Sequence, residues 1–552
     1  MVSSPILNVP LKNHASVSGK FTHREVSKLA SDLKSGAMSF VPEVLSEETI
    51  SSDLGKKQCT QGIISACCGL AMLIVLMSVY YRFGGVIASG AVLLNLLLIW
   101  AALQYLDAPL TLSGLAGIVL AMGMAVDANV LVFERIREEF LLSQSLKKSV
   151  EKGYTKAFGA IFDSNLTTVL ASALLFFLDT GPIKGFALTL ILGIFSSMFT
   201  ALFMTKFFFM LWMNKTQHTQ LHMMNKFVGI KHDFLRGCKK LWAVSGSVFL
   251  LGCVALGFGA WNSVLGMDFK GGYAFTFNPK EHGISDVAQM RGKVVHKLQE
   301  AGLSSRDFRI QTFGSSEKIK IYFSDKALSY TKQIRASLLK LTIMSWRYCG
   351  IVVRNRPRFL YGNSKRNAKF WSKVSSKLSK KMRYQATIGL LGALAIILLY
   401  VSLRFEWQYA FSAVCALIHD LLATCAVLFI AHFFLKKIQI DLQAIGALMT
   451  VLGYSLNNTL IIFDRIREDR QANLFTPMHV LVNDALQKTF SRTVMTTATT
   501  LSVLLMLLFI GGSSVFNFAF IMTIGILLGT LSSLYIAPPL LLFMVRKENR
   551  SK

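Results

Sequence analysis

One carboxylate sits where carboxylates are costly. Asp127 follows the run LAGIVLAMGMAV and precedes ANVLVF, which puts it near the middle of a stretch long enough to cross a bilayer. An acid at that depth costs about 2.5–3.5 kcal/mol on insertion scales, and ionisable groups inside membranes mark ion paths, relays or buried pairs. Burial of a carboxyl raises its pKa by as much as about 3–5 units, enough for proton uptake and release near neutrality. The alternative is a structural acid held by helix contacts. Gly123 and Ala125, with Asn129 half a turn beyond Asp127, allow a second helix to pack closely there.

Other residues fall into the same chemistry. Arg492, in SRTVMTTATT, either snorkels to the interface or points inward as counter-charge to Asp127. Thr493, Thr496, Thr497, Thr499 and Thr500 offer hydroxyls for helix contacts or a water path. His419 and Asp420, in CALIHDLLATC, form a pair able to relay protons or merely to bridge helices. The arginines of the two R-I-R-E segments, 135–138 and 465–468, read as anchors at lipid headgroups. There is no P-loop, HExxH, GxSxG or dinucleotide fingerprint. No enzyme, cofactor or metal is therefore expected, and energy must come from an ion gradient or a partner. One charge falling through 100 mV yields about 2.3 kcal/mol.

The elements that must position these groups are membrane helices. The chain has 552 residues, 53% hydrophobic and only 16% charged, with mean hydropathy +0.49. Soluble proteins of this length rarely reach that balance. Eleven apolar runs, each near the ~20 residues a span needs, begin near 62, 86, 112, 159, 184, 241, 384, 410, 441, 491 and 516. They form a group of five and a group of six. The net charge of +29 fits Lys/Arg on the cytoplasmic side plus a basic extramembrane domain. A nucleic-acid partner would require a reading motif, and none occurs. The eight cysteines lack metal or disulfide spacing.

Short basic loops, ERIREEFLLSQSLKKSVEKGYTK among them, place one side in the cytoplasm together with the C-terminus. The N-terminal tail and the 268–383 segment then lie outside. That segment reads as strand (YAFTFN), helix (286–301), strand (FRIQTFG), strand (KIKIYF), helix (330–341) and strand (GIVVRN), the order of a small α+β ferredoxin-like domain. The lysine-rich SKRNAKFWSKVSSKLSKK after it reads as a surface helix leading into the next span.

The two bundles repeat one another. AVDANVLVFERIREEF returns as SLNNTLIIFDRIREDR, with Phe133 matching Phe463 at an offset of 330. GFALTLILGI resembles NFAFIMTIGI, and YYRFGG resembles SLRFEW. Duplicated bundles are a transporter pattern with the working site where the halves meet. Asp127 becomes Asn457 in the second copy, followed by a further amide, Asn458.

These phrases carry a family resemblance. GMAVDANVLVFERIREE resembles the hallmark helix of SecD, while GMDFKGG, LRFEWQYAFSAVCALIHD, GYSLNNTLIIFDRIRED and SRTVMTTATT resemble SecF, in order. The chain resembles the C-terminal part of SecD fused to SecF, protein-export membrane proteins of the RND superfamily. The resemblance implies a remnant of the SecD periplasmic domain at 1–61, a five-helix bundle at 62–213 and a basic cytoplasmic linker at 214–240. It further implies the first SecF helix at 241–260, a periplasmic domain with a basic lead-in helix at 261–383, a five-helix bundle at 384–545 and a cytoplasmic tail at 546–552. The expected setting is the bacterial inner membrane. The expected role is to use the proton-motive force to promote late export through the SecYEG channel after SecA, with a YajC-like subunit and the exported preproteins as partners. The remainder of SecD is expected to be separately encoded or missing. On this resemblance Asp127 is the proton carrier and Arg492 works with it, with Asn458 standing where the family has a second aspartate. His419 and Asp420 are further relay candidates. Gly453 and Asn457 join Gly123, Ala125 and Asn129 in packing round the relay, and Gly266, Asp268, Gly271 and Gly272 form the family motif. A SecYEG partner without proton coupling and an RND exporter of lipids or small molecules are the alternatives.

Overall fold

The computed structural model describes parts of residues 22–31, then 46–49, 52–178, 182–216, 223–224, 232–258, 264–277, 308–313, 318–323, 370–374, 376–435, 438–512 and 514–551. The stretches expected to form helices at 286–301 and 330–341 and a strand at 350–355 lie outside the described residues. Residues 1–45 form one compact unit and 46–552 another. In the first, a helical turn opens on a capping box: the Thr22 amide and hydroxyl both donate to Glu25 at 2.9 Å.

Among the described residues, eleven helices of the second unit are long and apolar enough to cross a membrane. In chain order these spans are Gln58–Tyr81, Phe83–Tyr105, Leu112–Ser143, Leu146–Phe177, Ile183–Asn214, Phe234–Gly257, Leu378–Arg404, Trp407–Phe434, Leu442–Ala472, Met478–Ile510 and Phe516–Val545. The third and ninth spans are the axial pair, 83% and 94% buried, whereas the sixth is only 6% buried. They are 330 residues apart and start alike. The Thr111 hydroxyl accepts from the Gly114 amide at 2.9 Å, and Asp441, its counterpart, accepts from the Ala444 amide at 2.8 Å. Both are N-caps that satisfy an orphan amide of the first turn.

The fourth and tenth spans begin thirteen residues earlier than expected, at Leu146 and Met478 rather than near 159 and 491. Their first turns are polar, which conceals them from a hydropathy reading. They stay helical because their charges find partners on the axial helices: Lys156 meets Glu139 at 2.6 Å, and Lys488 meets Asp469 at 2.8 Å. The expected basic loop after the third span is thus a helical hairpin that turns at Gln144 in the left-handed region (φ 52).

Outside the spans the described residues form a five-stranded antiparallel sheet. Its strands are β1 (Ser46–Thr49), β2 (Gly272–Phe277), β3 (Phe308–Phe313), β4 (Lys318–Phe323) and β5 (Phe370–Val374), in the order β1-β5-β2-β4-β3. β5 falls where a lead-in helix is expected. Its ladder runs from Gly272 opposite Val374 to Thr276 opposite Phe370, and such pairing overrides the weak helical preference of a lysine-rich run. The helix into the membrane begins only at Ser376. β1 pairs with the other edge of β5, joining the segment before the first span to the sheet of the second half.

Candidate functional site

Asp127 lies in the middle of the third span and is 6% exposed. One oxygen accepts from Arg492 Nη2 of the tenth span at 3.1 Å. The other accepts from Asn457 Nδ2 of the ninth span at 2.5 Å. Arg492 is 4% exposed and points inward, so the snorkelling alternative does not describe it. Asp127 and Asn457 are repeat counterparts and touch each other, which gives the lost acid a physical reason. Two carboxylates at that separation would repel, whereas an amide supplies a donor to an acceptor-only group.

Atoms around this pair are left over. Arg492 Nε, Asn457 Oδ1, Asn129 Oδ1 and Asn458 Nδ2 are buried without a protein partner among the described residues. Asn458 is 2% exposed, and its counterpart across the contact is not Asp127 but the residue next door. A cleft reaches Asp127 between the halves, lined by Leu131, Ser164, Asn165, Thr168, Tyr454 and Arg492. Unpaired polar atoms beside a polar cleft suit water. Gly123 lies against Thr500, where an added Cβ would be 3.1 Å from its methyl group, and Gly453 lies against Thr168 at 3.3 Å. These two glycines, also 330 apart, are where each axial helix meets a helix of the other half. Ala125 is buried and its carbonyl accepts from Asn129 Nδ2 at 3.2 Å. The threonines of the tenth span mostly bond back to their own helix, as Thr493 does to the Thr489 carbonyl at 3.1 Å. Two also reach another helix: Thr497 bonds to Thr530 at 2.9 Å, and Thr500, while donating to the Thr496 carbonyl at 3.0 Å, accepts from the Tyr454 hydroxyl at 3.3 Å.

His419 and Asp420 form a separate cluster inside the second bundle. Asp420 is fully buried, bonded to His419 Nδ1 at 3.0 Å and to the Ser455 hydroxyl. His419 Nε2 meets Ser245 on the sixth span. Ser455 and Asn457 are two residues apart, hence about 200° apart round the ninth span. That helix separates the two ionisable clusters.

The R-I-R-E arginines are not headgroup anchors. Arg135 and Arg465 are each only about a tenth exposed at the side chain, at 10% and 13%. Arg135 pairs with Glu468 at 3.0 Å and Arg465 with Glu138 at 3.1 Å, each arginine reaching across to the other half. Within each half, Arg135 also meets Glu138 and Arg465 meets Glu468, both at 3.2 Å. Four residues at matching repeat positions thus close one reciprocal lattice, and a bidentate fork suits arginine to that bridging. The near-identity of the two segments is explained by each being the other's binding partner.

The glycine motif docks on the opposite end of the ninth span. The Gly266 amide donates to the Ile440 carbonyl at 2.6 Å, and the Leu442 amide to Asp268 at 3.2 Å. Gly271 and Gly272 have φ 73 and 121, left-handed values that glycine adopts freely as the chain turns into β2. Asp441, just outside the span, takes a second bond from Asn517 at 3.1 Å. Burial, with Asp268 nearby, pushes its carboxyl up to about 6. Among the described residues no group of His, Cys, Asp and Glu could hold a metal ion.

The family described as "Protein export membrane protein SecD/SecF, C-terminal" matches residues 32–215 and 360–547. The chain is 28% identical to the protein translocase subunit SecDF of Bacillus subtilis over 97% of this chain and 71% of that protein. It is 30% identical to the SecDF subunit of Thermus thermophilus over 98% and 68% respectively. The crystal structure of SecDF from Thermus thermophilus, titled a translocon-associated membrane protein, superposes with TM-score 0.79 at 28% identity, covering 96% of this chain and 69% of that one.

Proposed function

Since the chain belongs to the SecD/SecF protein-export membrane protein family, we propose that it is an accessory subunit of the Sec translocase that uses the proton-motive force to promote late export. The single observation carrying the proton reading is the Asp127–Arg492 pair, buried at the interface of the two repeats with an amide on its second oxygen. In this reading Asp127 is the proton site. As a carboxylate it accepts from both neighbours. Once protonated, one oxygen becomes a donor, which neither the Arg492 guanidinium nor the Asn457 amide nitrogen can accept. Arg492 is then a buried cation without a counter-charge, and breaking a buried pair costs about 3–5 kcal/mol. Proton binding therefore favours an arrangement in which the halves move apart enough for water or another acceptor to reach Arg492. A few charges crossing a 100 mV potential, at about 2.3 kcal/mol each, suffice to drive that cycle.

The halves are taken to lie in the bacterial inner membrane with the R-I-R-E face in the cytoplasm and the sheet outside. The order β5-β2-β4-β3, all antiparallel, is that of a ferredoxin-like domain and supports that finer assignment. SecYEG, SecA, a YajC-like subunit and the exported preproteins are its proposed partners. His419 and Asp420 are a second relay candidate, and Asn458, which does not titrate, is a bystander to it. The second reading, a Sec partner without proton coupling, is favoured by the amides at 457 and 458. Depleting the chain from its host tests the role itself. Accumulation of unexported precursors with unchanged efflux of lipophilic dyes is the expected result; the reverse pattern would make it an exporter.

A further inference from the structure

Glu134 is an acid that the proton reading leaves unused. It lies seven residues beyond Asp127 on the third span, two helical turns and about 10 Å nearer the R-I-R-E face on the same side of the helix. Leu131, which lines the cleft at Asp127, occupies the turn between them and is 3% exposed. Glu134 has three polar partners. Tyr81 donates to it at 2.9 Å and Ser491 at 3.2 Å. Arg137 pairs with it at 3.0 Å. Tyr80 bonds to the same Ser491 hydroxyl at 2.9 Å. Ser491 directly precedes Arg492, so adjacent residues of the tenth span bond to Glu134 and to Asp127. On its far side the Arg137 guanidinium also donates to the Met224 carbonyl at 3.1 Å.

The repeat isolates what is particular to Glu134. Its counterpart is Asp464, which pairs at 2.7 Å with Arg467, as Glu134 pairs with Arg137. Yet Asp464 lies below Asn457, where there is nothing to relay, and is 27% exposed against 13% for Glu134. The counterpart of Ser491 is Asp163, which turns instead to Arg404 at 2.6 Å. Among the described residues, the Ser491 hydroxyl of the second half joins Tyr80, Tyr81 and the buried Glu134 of the first half beneath the acid at mid-span.

We propose that Glu134 is the exit residue of the proton path, taking the proton from Asp127 and releasing it at the R-I-R-E face. The inference rests on the proton-coupled reading above. In the step, Asp127 passes from acid to carboxylate and regains its pairing with Arg492. Water in the cleft carries the proton past Leu131, and Glu134 passes from carboxylate to acid, so that net charge is conserved. Tyr80, Tyr81, Arg137 and Glu138 are the other ionisable groups around it. As the proton leaves, the ion pair with Arg137 re-forms.

The test is proton entry into proteoliposomes containing the full chain, followed with an internal pH-sensitive dye after an acid jump. Four versions are compared: unmodified, Asp127→Asn, Glu134→Gln and Glu134→Asp. The expected result is that Asp127→Asn and Glu134→Gln both slow entry by about tenfold or more, on the scale of lost acid–base groups, while Glu134→Asp keeps most of the rate. Unmodified rates in Glu134→Gln would overturn the proposal. So would equal loss in Glu134→Gln and Glu134→Asp, since Glu134 would then act by geometry and not as a proton carrier. If the unmodified chain is no faster than Asp127→Asn, the proton-coupled reading itself fails and this proposal falls with it.

Discussion

At the scale of residues, the account turns on one carboxylate with two donors. Arg492→Met leaves Asp127 buried without its counter-charge and should cost about 3–5 kcal/mol. Adding Asp127→Asn should return part of it, a coupling that thermal melts of the four versions in detergent would measure. Additive costs would mean that the pair carries no coupling. Asn457→Asp should be more damaging than Asn457→Ser at neutral pH, because it places a second carboxylate where Asp127 now has a donor. The acid was legible in the sequence because an ionised group in an apolar run has few explanations. Its amide partner was not: Asn457 differs from Asp127 by what looks like ordinary drift, and only the contact between the two copies gives that difference a meaning.

Whole elements carry a different set of consequences. The ninth span is capped by Asp441, whose carboxyl is pushed up to about 6 by burial and by Asp268. A carboxyl with a raised folded pKa stabilises the protein least when it is ionised. This contribution is therefore intact below about pH 4, its unfolded value, and is lost as pH rises through about 6. Asp441→Asn keeps the cap, so it should raise the melting temperature above pH 6 and leave it unchanged near pH 4. Equal shifts at both pH values would show that the cap, and not the charge, matters. Hydropathy placed all eleven spans because apolar length is a strong signal. It missed the polar first turns of the fourth and tenth spans, whose stability comes from Lys156–Glu139 and Lys488–Asp469 across helices. Strand β5 was hidden for a similar reason, since a ladder to β2 is a tertiary fact that a run of lysines does not announce.

For the whole molecule, the duplication is a working arrangement in which each half completes the other. The reciprocal lattice of Arg135, Glu138, Arg465 and Glu468 ties the halves together at one face, while Asp127, Asn457 and Arg492 meet at mid-depth. Arg135→Glu should loosen that face, seen as faster hydrogen exchange at the ends of the third and ninth spans, and adding Glu468→Arg should restore protection. No restoration would mean that the lattice is incidental to holding the halves. The repeat was plain in the sequence, but its symmetry of contact was not, because identical arginines at two span ends read equally well as lipid anchors. The most direct test of proton-driven export is translocation in inverted membrane vesicles carrying this chain and the rest of the Sec machinery. The unmodified chain and Asp127→Asn are compared with and without an imposed proton gradient. A gradient-dependent gain in export that vanishes in Asp127→Asn is the expected result; equal gains in both would contradict it.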